Sequence, residues 1–235
     1  MHGNDADGIG TYNEKRLHRI LKRWVTENAD CYEVRVGRNI ADVFEGGRIT
    51  EIQTASFRPL EKKIGNYLRD TQYGVTVICP VISEKTIIRA DKDTGEIAYA
   101  KLSPKHERDT DLLPRMFYLR EHVESSRLEV RILRVRAEEY RFSERMRYRR
   151  QGAYDNDLRP VELLGETVLA GKNSYRQLIP KDLADREFTA SDFAKQTNLK
   201  GRNLSLALAF LTHIGLLSRR TEGKKYIYSS VLNEE

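Results

Sequence analysis

The sequence predicts an α/β protein, a mixed sheet flanked by helices, followed by a small α+β unit. Three stretches lead to that reading. "YNEKRLHRILKRWV" places Leu17, Ile20, Leu21, Trp24 and Val25 at helical spacing. "IADVFEGGRITEIQT" reads as two strands around a Gly-Gly turn. From Phe188 to Ser230 the chain reads as helix, turn, helix and basic hairpin.

Taken in order, residues 1–10 form a Gly- and Asp-rich tail expected to be flexible. Its "DADG" lacks the later glutamate of a calcium loop. Asn13 is placed to cap the first helix, and Glu14 falls one turn before Leu17 on the buried side. After the hairpin, Pro59 suits the first turn of a second amphipathic helix carrying Leu60, Ile64, Tyr67 and Leu68. "VTVICPVI" is short and apolar enough for a buried strand, expected to end or bulge at Pro80. Two strands follow around Asp91 to Gly95, then a helix near Leu112 to Val123, then a strand in which Leu128, Val130 and Ile132 alternate with Arg127, Glu129 and Arg131. From Tyr140 to Arg150 arginines interleave with aromatics, as on a basic helix that is either solvated or turned to nucleic acid. Gly, Asn, Asp and Pro then break the pattern. The expected division is therefore 11–150 for the first domain, 151–177 for a linker and 178–235 for the second.

The hairpin carries the chemistry. A two-residue turn at Gly46 and Gly47 sets Glu45 against Arg48, Phe44 against Ile49, Val43 against Thr50 and Asp42 against Glu51. Opposed residues stand about 4.5–5.5 Å apart at Cβ, where like charges repel. Strand alternation adds Gln53 to the same face. Such a cluster suits a hard cation, which binds through one or two carboxylates plus water and phosphate. A solvated face whose acids pair with surface Arg or Lys would use the same residues.

Helix with an acid, strand with Asp42, hairpin, strand with Glu51-x-Gln53, helix, buried strand: over residues 11–90 this order resembles the PD-(D/E)XK nuclease superfamily, the restriction-endonuclease-like fold. The resemblance implies a Mg²⁺ (or Mn²⁺) site held by Asp42 and Glu51, with Glu14 as the assisting helix glutamate and Gln53 at the lysine position. Glutamine departs from that pattern, because it cannot supply lysine's positive charge. Lys63, on the border of the apolar face of the second helix, is the better substitute for it; Arg58 is a weaker one, and Lys62 points away.

In the last segment Thr189 caps a short helix with Asp192 in its first turn. A second helix bears Leu204, Leu208, Leu211 and Ile214, and "LLSRR", "TEGK" and "KYIYSS" complete a hairpin. Residues 178–232 resemble the winged helix-turn-helix family. By that resemblance Lys200, Arg202, Asn203 and Ser205 begin a recognition helix, while Arg219, Arg220, Lys224 and Lys225 lie on the wing against phosphates. The apolar "LSLALAFL" equally suits a protein partner, and a homodimer stays open.

Composition agrees with a nucleic-acid partner: 41 Lys and Arg against 35 Asp and Glu give a net charge of +6 over 235 residues. Without a membrane-length apolar run or a signal segment, a cytoplasmic protein is expected. Cys31 and Cys79 lack metal spacing, the five histidines are scattered, and "AGKNS" lacks the first glycine of a P-loop. The expected function is a Mg²⁺-dependent endonuclease acting on duplex DNA. The alternatives are a DNA-binding regulator with a catalytically silent nuclease-like domain, and an interaction module that binds no nucleic acid.

Overall fold

The computed structural model describes residues 9–91, 94–143 and 156–231, without the side chains of residues 9–15, 142, 143 and 156. Helix α1 (Ile9–Val25) starts upstream of the expected cap, so Asn13 lies within it and the helix takes in the end of the expected tail. Its Leu17 and Leu21 pack on Ile52, Ile78, Leu133 and Val135. Strands β1 (Tyr32–Val36), β2 (Asn39–Glu45) and β3 (Arg48–Ile52) then form an antiparallel meander. Strand β1 was not foreseen. Between β2 and β3, Gly46 and Gly47 have φ of 56° and 75°, the left-handed pair that a type I′ turn demands. The pairs Glu45↔Arg48, Phe44↔Ile49 and Val43↔Thr50 form as expected.

Helix α2 (Arg58–Asp70) has Pro59 in its first turn and buries Leu60, Ile64 and Tyr67. Strand β4 (Gly74–Asp91) does not stop at Pro80, contrary to the expectation from its sequence. Residue 80 turns the same way as Ile78, whose carbonyl accepts from Gln53 N at 2.8 Å, and β3 pairs no further than Ile52↔Ile78. Proline's missing N–H therefore falls where no strand is left to receive it. Further along that edge Glu107 takes over, its N–H donating to Ile82 O at 3.0 Å and its carboxylate accepting from Ile82 N at 3.0 Å.

Strand β5 (Ile97–Leu102) folds back on the far end of β4. The helix expected near Leu112 to Val123 is instead a one-turn helix, α3 (Leu113–Met116), between 3₁₀ turns at Asp109–Leu112 and Phe117–Leu119. Strand β6 (Leu128–Ser143) runs parallel to β4, and β7 (Asn156–Ala170) is antiparallel to β6. Tyr140 to Ser143 are thus strand rather than basic helix, and 144–150 lie outside the described residues. Likewise β7 occupies most of the expected linker. Pro160 and Gly165, which look like breakers, sit on this outermost strand beside two irregularities in its pairing with β6, where an edge strand tolerates them.

Among the described residues the main sheet has seven strands in the order β1-β2-β3-β4-β6-β7, with β5 added on β4. It is a mixed sheet flanked by helices. The chain continues through a 3₁₀ run at Lys172–Leu178 into α4 (Lys181–Ala184), β8 (Phe188–Thr189), α5 (Ala190–Gln196), α6 (Gly201–His213), β9 (Leu217–Glu222) and β10 (Lys225–Ser230). A second sheet has the order β8-β10-β9. Thr189 and Asp192 form a reciprocal capping box on α5, as expected. No loose tether separates this unit: Tyr175, Leu178, Phe210 and Leu211 share one buried core with Leu113, Met116, Ile64 and Val130. Among the described residues no helix is long and apolar enough to cross a membrane.

Arg16 of α1 and Arg159 of β7 share Asp157 Oδ2 at 2.5 and 2.6 Å, and the Asp157 side chain is only 8% exposed. This pin holds α1 across the sheet. Arg16→Ala is expected to cost about 1–2 kcal/mol, the scale of one charge-assisted hydrogen bond. Urea unfolding should show a lower midpoint at unchanged slope; an unchanged midpoint would mean that apolar packing alone secures α1.

Candidate functional site

The site forms where β2 and β3 part. Their pairing ends at Val43↔Thr50, so Asp42 and Glu51, expected directly across from each other, are not ladder partners. Instead the Asp42 carboxylate takes over the edge of β3: Oδ2 accepts from Ile52 N at 2.8 Å. The same oxygen lies 3.0 Å from His18 Nε2, and Oδ1 is 3.8 Å from Lys22 Nζ. Both residues come from α1, four residues apart on one stripe. Lys22, only 9% exposed in its side chain, is bonded also to Glu33 of β1. Glu33 falls between the pairs Tyr32↔Val43 and Val34↔Ala41 with φ of 53°, a conformation uncommon outside glycine.

Glu51 is buried, at 3% exposure. Lys63 of α2 donates to its Oε2 at 2.6 Å and Tyr67 to its Oε1 at 2.9 Å. Strand alternation turns Glu51 toward α2, while Thr50 and Ile52 face α1. The sheet fork thus gathers two carboxylates with ammonium groups from both helix layers.

The two acids differ electrostatically. Burial, and secondarily the Asp42 charge, push Glu51 up to about 7. Burial would raise Asp42 as well, but the His18 contact, the Ile52 N–H and the Lys63 charge together hold it below the ordinary carboxylate value. Lys22 is lowered by burial, against the pull of Asp42 and Glu51. Tyr67 is raised, by burial first and then by Glu51.

These shifts have opposite consequences for stability. Because Glu51 is raised in the fold, its contribution is fully present below its unfolded value near 4.5 and is lost as pH rises through about 7. Glu51→Gln should remove that slope, and by pH 8 the variant should have gained up to about 3 kcal/mol on the parent. Asp42 is lowered, so its contribution is present above its unfolded value near 3.8 and is lost as pH falls through its lower folded value. Asp42→Asn should cost about 1–3 kcal/mol at neutral pH through its buried partners. Denaturant melts from pH 2 to 8 check both signs, the Asp42 loss below pH 4 and the Glu51 loss above it; a Glu51→Gln curve parallel to the parent would remove Glu51 as the source of the slope.

The other expected residues divide. Gln53 is turned away, its Nε2 donating to Ser56 O at 2.8 Å. Glu14 lies on α1 four residues before His18, and its side chain is outside the described residues. Arg58 and Lys62 are exposed. Lys63 does reach Glu51. His18, Lys22, Glu33 and Tyr67 were missed. The i, i+4 run Glu14, His18, Lys22 was the available signal for the first two.

On the C-terminal unit Lys200, Arg202, Asn203 and Ser205 are exposed at the start of α6, and Arg219, Arg220, Lys224 and Lys225 are exposed on the β9–β10 hairpin. Arg220 is engaged by Glu187 at 2.8 Å and by Glu222. Arg219 lies 4.4 Å from the centre of the Tyr226 ring.

The stretch from α1 to the end of β7 also behaves as a unit of descent: the model of a domain of unknown function, DUF8091, matches residues 15–170. The chain belongs to that family. The DUF8091 span ends on the last residue of β7, which puts β7 with the acid cluster and leaves α4 to β10 beyond it. No curated protein and no solved structure matches the chain.

Asp42 and Glu51 present hard oxygen donors of the kind Mg²⁺ takes. Among the described residues no group of three or more His, Cys, Asp or Glu converges as a metal site.

Proposed function

We propose that the chain is a divalent-metal-dependent DNA endonuclease of the PD-(D/E)XK, restriction-endonuclease-like kind, whose C-terminal unit is a winged helix that holds the duplex. The observation that carries this reading is Lys63. Its ammonium reaches Glu51 from α2 at 2.6 Å, while Gln53, at the motif's lysine position, is bonded to Ser56 instead. A lysine charge is thus supplied beside the acid from another element. The order α1, β2, hairpin, β3, α2, β4 around Asp42 and Glu51 also supports the reading.

In this reading Asp42 and Glu51 hold Mg²⁺ or Mn²⁺, which when bound supplies positive charge to a phosphoryl oxygen and acidifies a water. Lys63 holds positive charge where negative charge develops at the phosphate. Asp42 keeps the β2–β3 fork fixed through Ile52 N–H, and His18 and Lys22 fix Asp42. The β8-β10-β9 sheet with α5 and α6 supports the winged-helix assignment, with the start of α6 directed to base edges and the hairpin cations to phosphates.

The test is conversion of supercoiled plasmid to nicked or linear form with Mg²⁺, Mn²⁺ or chelator. Cleavage that requires the cation supports the proposal. A second reading, a DNA-binding regulator with a silent nuclease-like domain, is favoured by the ammonium contacts that both acids already have. Tight duplex binding without cleavage under either cation would select it.

A further inference from the structure

The face of the sheet opposite Glu51 holds a cavity of about 600 Å³, within the range of small-molecule sites. Helix α1 covers this face with Leu17 and Leu21, which pack on Ile78 and Leu133, but ends at Val25, and Val43, Thr50 and Thr76 continue the cavity floor beside that pair. Trp24 and Leu163 flank it, 39% and 49% exposed.

The charges lining it are unequal in what they offer. Arg131 is paired with Glu129 and Glu166. Glu45 accepts from the Thr26 hydroxyl at 3.0 Å and the Cys31 thiol at 3.6 Å, which draw it toward the segment after α1. Arg48 packs over Gly74 and donates to Thr76 Oγ1 at 2.9 Å, and among the described residues no carboxylate pairs with it. A guanidinium fixed at the side of an apolar floor, with donors to spare, is a receptor for an anion.

We propose that this cavity binds a small aromatic acid, its rings on Val43, Ile78, Leu133 and Trp24 and its carboxylate, sulfonate or phosphate on Arg48. Binding here is separate from the nuclease reading, since Glu51 and Lys63 lie on the other side of β3.

Trp24 is the chain's single tryptophan and therefore a built-in reporter. The full chain is titrated with 8-anilinonaphthalene-1-sulfonate, exciting Trp24. One dye per chain, tryptophan quenching in step with dye emission and a raised melting temperature are expected. Arg48→Gln should weaken the dye at least tenfold, Arg48→Lys less, and the uncharged N-phenyl-1-naphthylamine should bind the parent at least tenfold more weakly than the sulfonate. Displacement by phenyl phosphate or by phenylacetate names the acid. The assignment is overturned by no binding, by binding without energy transfer from Trp24, by equal affinity for the uncharged dye, or by displacement with neither acid. Glu51→Gln should leave the titration unchanged, so this test and the plasmid assay fail independently.

Discussion

Neutralising Glu51 as glutamine is expected to lower cation-dependent plasmid cleavage by about 100- to 1,000-fold while the protein stays folded. That is the range for losing one preorganised electrostatic group. The side chain is buried, and its neutral form is already favoured at acid pH, so glutamine can keep the Tyr67 contact while losing the charge that would hold a cation. Asp42→Asn should lose activity to a similar extent but at a cost in stability, because Asp42 also caps the β3 edge. Lys63→Met removes positive charge and the hydrogen bond to Glu51, lets both acids rise toward their protonated forms, and should also reduce cleavage. The informative pattern is loss of activity in all three, with stability kept in Glu51→Gln and lost in Asp42→Asn. Full activity in Glu51→Gln would end the proposal for this cluster.

Removing the hairpin cations should have the second large effect. Each cation that no longer neutralises a phosphate lowers the dependence of binding on salt by about 0.9 log unit. Arg220 is already held by Glu187 and Glu222, so it should contribute less than Arg219, Lys224 and Lys225. The triple variant Arg219→Ala, Lys224→Ala, Lys225→Ala is therefore expected to flatten the slope by up to about 2.7 log units and weaken duplex binding across sequences. Adding Arg220→Ala should change little more. Fluorescence anisotropy against labelled duplex from low to moderate salt gives both quantities. Unchanged affinity and slope in the triple variant would turn α6 toward a protein partner.

The sequence was most informative where local rules are strict. Two adjacent glycines dictated a turn geometry, and the turn dictated the register down to Val43↔Thr50. The placement of Lys63 followed from helix spacing, and the Thr189 cap from Asp192 three residues on. It was least informative where a local rule depends on distant partners. Pro80 breaks a strand only if its N–H is needed, and that depends on where β3 ends. Pro160 and Gly165 suggest a linker unless β6 supplies an edge to pair with. Lys22 and His18 look like solvated helix residues until Asp42 is placed beside them. No short-range pattern reports Glu33, whose backbone turns against the usual preference of its residue type.

The long parallel ladder of β4 and β6 has a bearing on how the chain reaches this state. Its partners are far apart in sequence, Val75 with Leu128 and Asp91 with Ser143, and the segment between them must be ordered before the ladder can close. Such non-local pairing is slow, whereas a two-residue hairpin forms in about 1–10 μs. The Gly46–Gly47 turn should therefore bring Asp42 and Glu51 together early, in contact with water, where both can be charged. Only when β4 has joined β6 and α2 has closed over the sheet does Glu51 leave solvent and meet Lys63 and Tyr67. On this order the chain would assemble its acids before it buries them, and the unfavourable step of desolvating Glu51 would fall late, when the rest of the core is in place to offset it.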